Sequence, residues 1–154
     1  MQFQTALEII RIVPVILILV YAAICDHKTG HAPNRTWMYM PTGLFLTALT
    51  VLIYPQTLTL TVISILATVG LSLALFYCRM WGGADAKALI FIALCMPLTS
   101  FGGVTMILPL TVMVLAGPIA IAYTVFKQPK NLLHAKIRYL PFIFAAFVLT
   151  VLIF

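Results

Sequence analysis

The sequence predicts an all-α fold, a polytopic transmembrane helical bundle of about six spans, on three observations. Of 154 residues, 64% are apolar and only 8% are charged, where an ordinary soluble domain carries roughly 25% charged residues. Mean hydropathy is +1.16, which calls for lipid rather than water around most of the surface. The apolar residues come in long runs instead of two-residue alternation. Helices that satisfy their own backbone are therefore favoured over an outer-membrane barrel. At about 20 residues per span the chain holds at most about seven helices, so no separate soluble domain fits and residues 1–154 form a single transmembrane domain.

Each expected span ends at charge, glycine or proline. The first covers 6–25; Met1 to Ile24 lacks a basic start and a small-x-small cleavage site, so it is retained rather than removed as a secretory signal. Gly30 and Pro33 then break the helix in a tight turn, and Asn34 is placed to cap the second span, 37–54. The third span is 58–78. The fourth, 84–100, is kept short by Pro97 and the turn Thr99-Ser100-Phe101-Gly102-Gly103. The fifth, 104–126, carries Pro109 and Gly117-Pro118, which should kink it, because proline lacks a backbone donor and crowds the preceding turn. The sixth is 139–154. Cys25, Cys78 and Cys95 form no CxxC pair and are odd in number, so they read as buried small apolar side chains rather than a disulfide framework.

Nine Lys and Arg oppose three Asp and Glu. The basic residues are few and scattered between apolar spans, which excludes a nucleic-acid surface. They are also one-sided. Lys28 and Arg35 follow span one, Arg79 and Lys87 lie around the third connection, and Lys127, Lys130, Lys136 and Arg138 follow span five; only Arg11 falls towards the other side. The positive-inside rule places these three connections in the cytoplasm, with Trp37, Trp81 and Tyr139 as an interfacial aromatic belt. The last connection, Lys127 to Arg138, with Pro129, Asn131 and His134, is expected to lie amphipathically on the membrane surface. Basic side chains there are orientation signals and contacts for lipid phosphates.

The acids are Glu8, Asp26 and Asp85, and in so apolar a chain each is a candidate for function. Asp26 follows an apolar helix and opens Asp26-His27-Lys28; Asp85 closes Gly82-Gly83-Ala84-Asp85 and is followed by Ala86-Lys87. Asp85 alone reads equally well as a helix N-cap. Asp26 faces the negative end of a helix dipole, which costs about 0.3–1 kcal/mol and is not a capping position. Two carboxyl groups from separate spans at one membrane face suggest an aspartyl dyad. Such a pair shares a proton, one member acting as acid while the other activates water. His27 and His31 complete no set of four metal ligands, so no metal and no organic cofactor is expected.

The order Asp26-x-Lys28, Pro33-Asn34 and then Gly82-Gly83-Ala84-Asp85-Ala86-Lys87 resembles the prepilin and preflagellin peptidases, the type IV leader peptidases among the GxGD membrane aspartyl proteases. The likeness covers most of the chain. It implies catalytic Asp26 and Asp85, with Gly82, Gly83, Ala84, Lys28, Lys87, Pro33 and Asn34 supporting the motif or the substrate. Ala84 stands where the motif has its second glycine, which removes easy access to positive φ and predicts a different local loop. The implied activity is cleavage of the basic leader from type IV prepilin-like or preflagellin precursors, on the cytoplasmic side of the cell membrane. With no cysteine-rich cytoplasmic segment, the likeness is to the archaeal short form, which cleaves without N-methylating. The implied partners are those precursors and membrane lipids, with a homo-oligomer left open. Two rivals remain: a small proton- or ion-coupled transporter using the same acids as a relay, and a non-enzymatic subunit of a secretion machine.

Overall fold

The computed structural model describes residues 2–78, 81–101, 104–127 and 140–153. Helix α1 (Gln2–Thr29) is followed by a 3-10 turn (Asn34–Tyr39) leading into α2 (Met40–Ile53). A second 3-10 turn (Pro55–Thr57) opens α3 (Leu58–Tyr77), and α4 spans Gly83–Cys95. A hairpin of β1 (Leu98–Phe101) and β2 (Val104–Ile107) precedes α5 (Leu108–Lys127) and α6 (Leu140–Ile153). The architecture is all-α, six helices with one antiparallel hairpin in which Leu98 pairs with Ile107 and Phe101 with Val104.

Three segments are long and apolar enough to cross a membrane: Ile10–Thr29, Asn34–Ile53 and Pro55–Tyr77. The chain is thus a multi-pass membrane protein. The expected fourth span is different. Helix α4 has 13 residues, about 20 Å of helix against a hydrocarbon core of about 30 Å. The hairpin takes residues 98–101 and 104–107, where the sequence places the end of span four, the turn Thr99 to Gly103 and the start of span five. Non-helical backbone survives at such a place because its hydrogen bonds are met within the ladder.

Helix α4 sits at the centre, touching each of the other five helices. Its burial runs all round: Ala86, Ala88, Leu89, Phe91, Ile92, Ala93 and Cys95 are buried. Hydropathy alone cannot distinguish such a helix from a lipid-facing one. Against it α1 and α6 bury large apolar residues such as Val15, Leu19, Ile143 and Phe147, whereas α2 and α3 present small and hydroxylated ones. On α3 the buried positions are Thr61, Ser64, Thr68 and Ser72, while Leu60, Ile63, Leu66 and Leu73 are exposed. On α2 they are Gly43 and Thr47. This inversion is the packing logic of a membrane bundle, where lipid already solvates leucine and small residues let backbones approach.

Several expectations need correction. Trp37 and Trp81 are buried, and the Trp37 ring meets Phe91 edge to face at 6.4 Å, so both tryptophans are core rather than a headgroup belt. Of the cysteines only Cys95 is buried; Cys25 is half-buried and Cys78 exposed. Pro109 stands in the first turn of α5, where the missing donor costs nothing. Pro118 lies inside that helix, and Pro14 inside α1, without ending either. Arg79, Lys130, Lys136, Arg138, Tyr139 and the surface stretch expected around Pro129, Asn131 and His134 lie outside the described residues.

Candidate active site

Helix α1 carries its buried residues at 11, 15, 19, 22, 23 and 26, a single stripe at helical spacing. Asp26 is the last residue of that stripe and is only 7% exposed. It lies inside the final turn of α1 rather than in the loop. The helix closes at Gly30, whose φ of 75° is left-handed and whose N–H donates to the Asp26 carbonyl at 2.9 Å. That single bond from just beyond the helix is the αL termination, for which glycine is the least strained residue. His27, Lys28, His31 and Arg35 are exposed around it.

Asp85 is 6% exposed, in the first turn of α4. The N-cap is Gly82, not Asp85, and the Asp85 carboxylate accepts the Gly82 N–H at 3.1 Å. This is one half of a capping box, since glycine has no side chain to return the bond. A second backbone donor comes from a distant part of the chain, the N–H of Leu140 at the start of α6. Gly82 has φ −74° and ψ 157°, and Gly83 and Ala84 are already helical. The motif is formed here without positive φ.

The fold brings these two acids to one end of the bundle, where α1 ends and α4 begins. Burial most strongly disfavours the ionised Asp85 carboxylate, the Gly82 N–H favours it, and the smaller effects are like-charge repulsion from Asp26 and the Leu140 N–H. Electrostatic range is not hydrogen-bond contact, and a catalytic dyad is not evident from it among the described residues. The loop before α2 is tied in as well. Lys87 Nζ donates to Asn34 Oδ1 at 2.8 Å, so Asn34 binds the second motif instead of capping α2, and Pro33 is the N-cap residue of the 3-10 turn. Lys28 stays exposed.

Arg11 and Thr47 escaped the sequence reading. Arg11 is buried at the opposite end of the α1 stripe, where its guanidinium bonds the Cys95 carbonyl and Thr47. The available signal was a lone arginine inside an apolar run. No group of three or more His, Cys, Asp or Glu converges on a metal position among the described residues. Comparison with curated proteins and with solved structures gives no match. The model of one family does match, over residues 13–154. Two buried acids on α1 and α4, the glycine pair ahead of the second and this near-complete match agree: the chain belongs to the type IV leader peptidase family.

Proposed function

We propose that the protein is an aspartic endopeptidase that removes the leader from type IV prepilin-like or preflagellin precursors. In this reading Asp26 and Asp85 share one proton. The ionised carboxylate takes a proton from water as its oxygen attacks the scissile carbonyl, and the protonated partner donates to the carbonyl oxygen. The tetrahedral intermediate then collapses as a proton passes to the leaving amine. The chemistry asks for no metal. Family membership supports a hydrolase acting at the membrane, and the excess of basic residues on the connections at the acids' end supports a cytoplasmic site.

The observation that carries this proposal is the burial of both acids at the junction of α1 and α4, where the Asp26 charge reaches Asp85. A transporter relay would place its acids near mid-span, whereas these occupy a last turn and a first turn. The test is incubation of purified protein with candidate precursors, read by the mass of the shortened product. Asp26→Asn and Asp85→Asn should each lower kcat by about 100-fold or more while the folded protein still binds precursor. The wild-type rate should fall on the acid side as both carboxyl groups protonate, and on the alkaline side as the shared proton is lost. Processing at full rate by either variant would remove the proposal.

A further inference from the structure

We propose that Arg11 is a positioning residue: by clasping the last turn of α4 it fixes the register of α1 against α4 on which the meeting of Asp26 and Asp85 depends. The catalytic consequence rests on the peptidase reading above; the clasp itself rests on geometry. Arg11 Nε donates to the Cys95 carbonyl at 2.8 Å, and a terminal guanidinium nitrogen reaches the same oxygen and, at 3.3 Å, Thr47 Oγ1. The Thr47 hydroxyl donates in turn to the Leu94 carbonyl. These carbonyls belong to the end of α4, where the helix supplies no donors of its own and a cation meets the negative end of the dipole. Helix α2 is pressed onto the same turn. A Cβ at Gly43 would run into Cys95 Sγ and crowd the Cys95 backbone N at 3.3 Å, so glycine suits this approach and a side chain there pushes on Cys95.

Arg11 and Asp26 share one buried stripe fifteen residues apart, about 22 Å along α1. Cys95 and Asp85 are ten residues apart on α4, about 15 Å. The two helices run antiparallel between these points, and the difference is one that an extended arginine side chain spans. Helix α4 is short and central, capped at its start by the Gly82–Asp85 bond and clasped to α1 at its finish by Arg11. A slip of one residue moves Asp85 by about 1.5 Å, and a misplacement of about 1 Å can cost about 100-fold in rate. Arg11 also precedes the segment matched to the family, which begins at residue 13.

The experiment compares wild type with Arg11→Met, which keeps the length of the side chain and removes its donors, and with Arg11→Lys. Arg11→Met should lower kcat about 100-fold with KM within about threefold, and Arg11→Lys should recover most of the loss. A readout independent of turnover is available because Asp26 and Asp85 are the sole aspartates of the chain. Protein labelled with ¹³C-aspartate gives an infrared carboxyl titration of this pair alone. The described ionisable side chains at that end, Cys25, His27 and Lys28 on α1, His31 and Arg35 in the following loop and turn, and Lys87 on α4, are unchanged in all three proteins. Two well-separated steps in wild type should draw together in Arg11→Met. Should Arg11→Met not fold, Gly43→Ala, which pushes Cys95 off the same clasp, takes its place with the same expected result. A coupled titration that survives unchanged in the folded variant overturns the clasp alone. Independent aspartates in wild type overturn the dyad, a distinguishable failure.

Discussion

Gly82 and Gly83 are neighbours in sequence, yet the fold asks different things of them. A Cβ on Gly82 would meet Asp85 Oδ2 at 3.1 Å, tight enough to push the carboxylate, whereas one on Gly83 would make ordinary contact with Phe76 at 3.4 Å. Gly82→Ala should therefore lower kcat by about tenfold through displacement of Asp85, and Gly83→Ala should stay within about threefold of wild type, since alanine is the better helix former. Gly30 makes a third kind of demand, because its left-handed backbone closes the turn that carries Asp26. Gly30→Ala should cost about 1–2 kcal/mol in a detergent unfolding titration. The acids and the glycine pair were legible in the sequence because a chain with three acids leaves few alternatives. The Leu140 N–H on Asp85 was not, since a backbone donor has no residue signature and its partner lies fifty-five positions away.

Among the elements, α3 shows why hydrophobic periodicity found the helices but not their faces. Its inward stripe is Thr61, Ser64, Thr68 and Ser72, and all its leucines but Leu75 look outward; a rule written for water would have turned the helix around. The stripe is uneven in its hydrogen bonding. Ser64 donates to the Pro97 carbonyl at 2.7 Å, tying α3 to the chain leaving α4, while the Thr68 and Ser72 hydroxyls are buried without a partner among the described residues. Removing a bonded hydroxyl strands its acceptor, and removing an orphaned one strands nothing. Ser64→Ala should then destabilise by about 1–3 kcal/mol, and Thr68→Val, close in volume, should be neutral or stabilising. Equal losses for both, measured by thermal unfolding in the same micelles, would mean that volume rather than hydrogen bonding sets the cost. The hairpin after α4 was missed for a related reason: four-residue strands in an apolar run carry no periodicity distinct from helix.

At the scale of the whole molecule, the charge pattern and the fold make a joint statement about which end of the bundle faces which compartment. Lys28 and Arg35 flank the end where α1 stops and α4 starts, and Lys87 is joined to Asn34 there. Cys78, the residue closing α3 at that same end, is exposed, whereas Cys95 is buried at the finish of α4 under Arg11. The two thiols thus report compartment and packing separately. In a Cys25→Ser background, sealed cells should leave Cys78 untouched by a membrane-impermeant maleimide, because the positive-inside rule puts its end in the cytoplasm. Inverted vesicles should label it readily. Cys95 should resist the reagent in both until the protein is unfolded, since α4 is shielded by helices on every side. Labelling of Cys78 from outside the cell would reverse the orientation and carry both acids with it, leaving the junction of α1 and α4 facing away from any leader made in the cytoplasm.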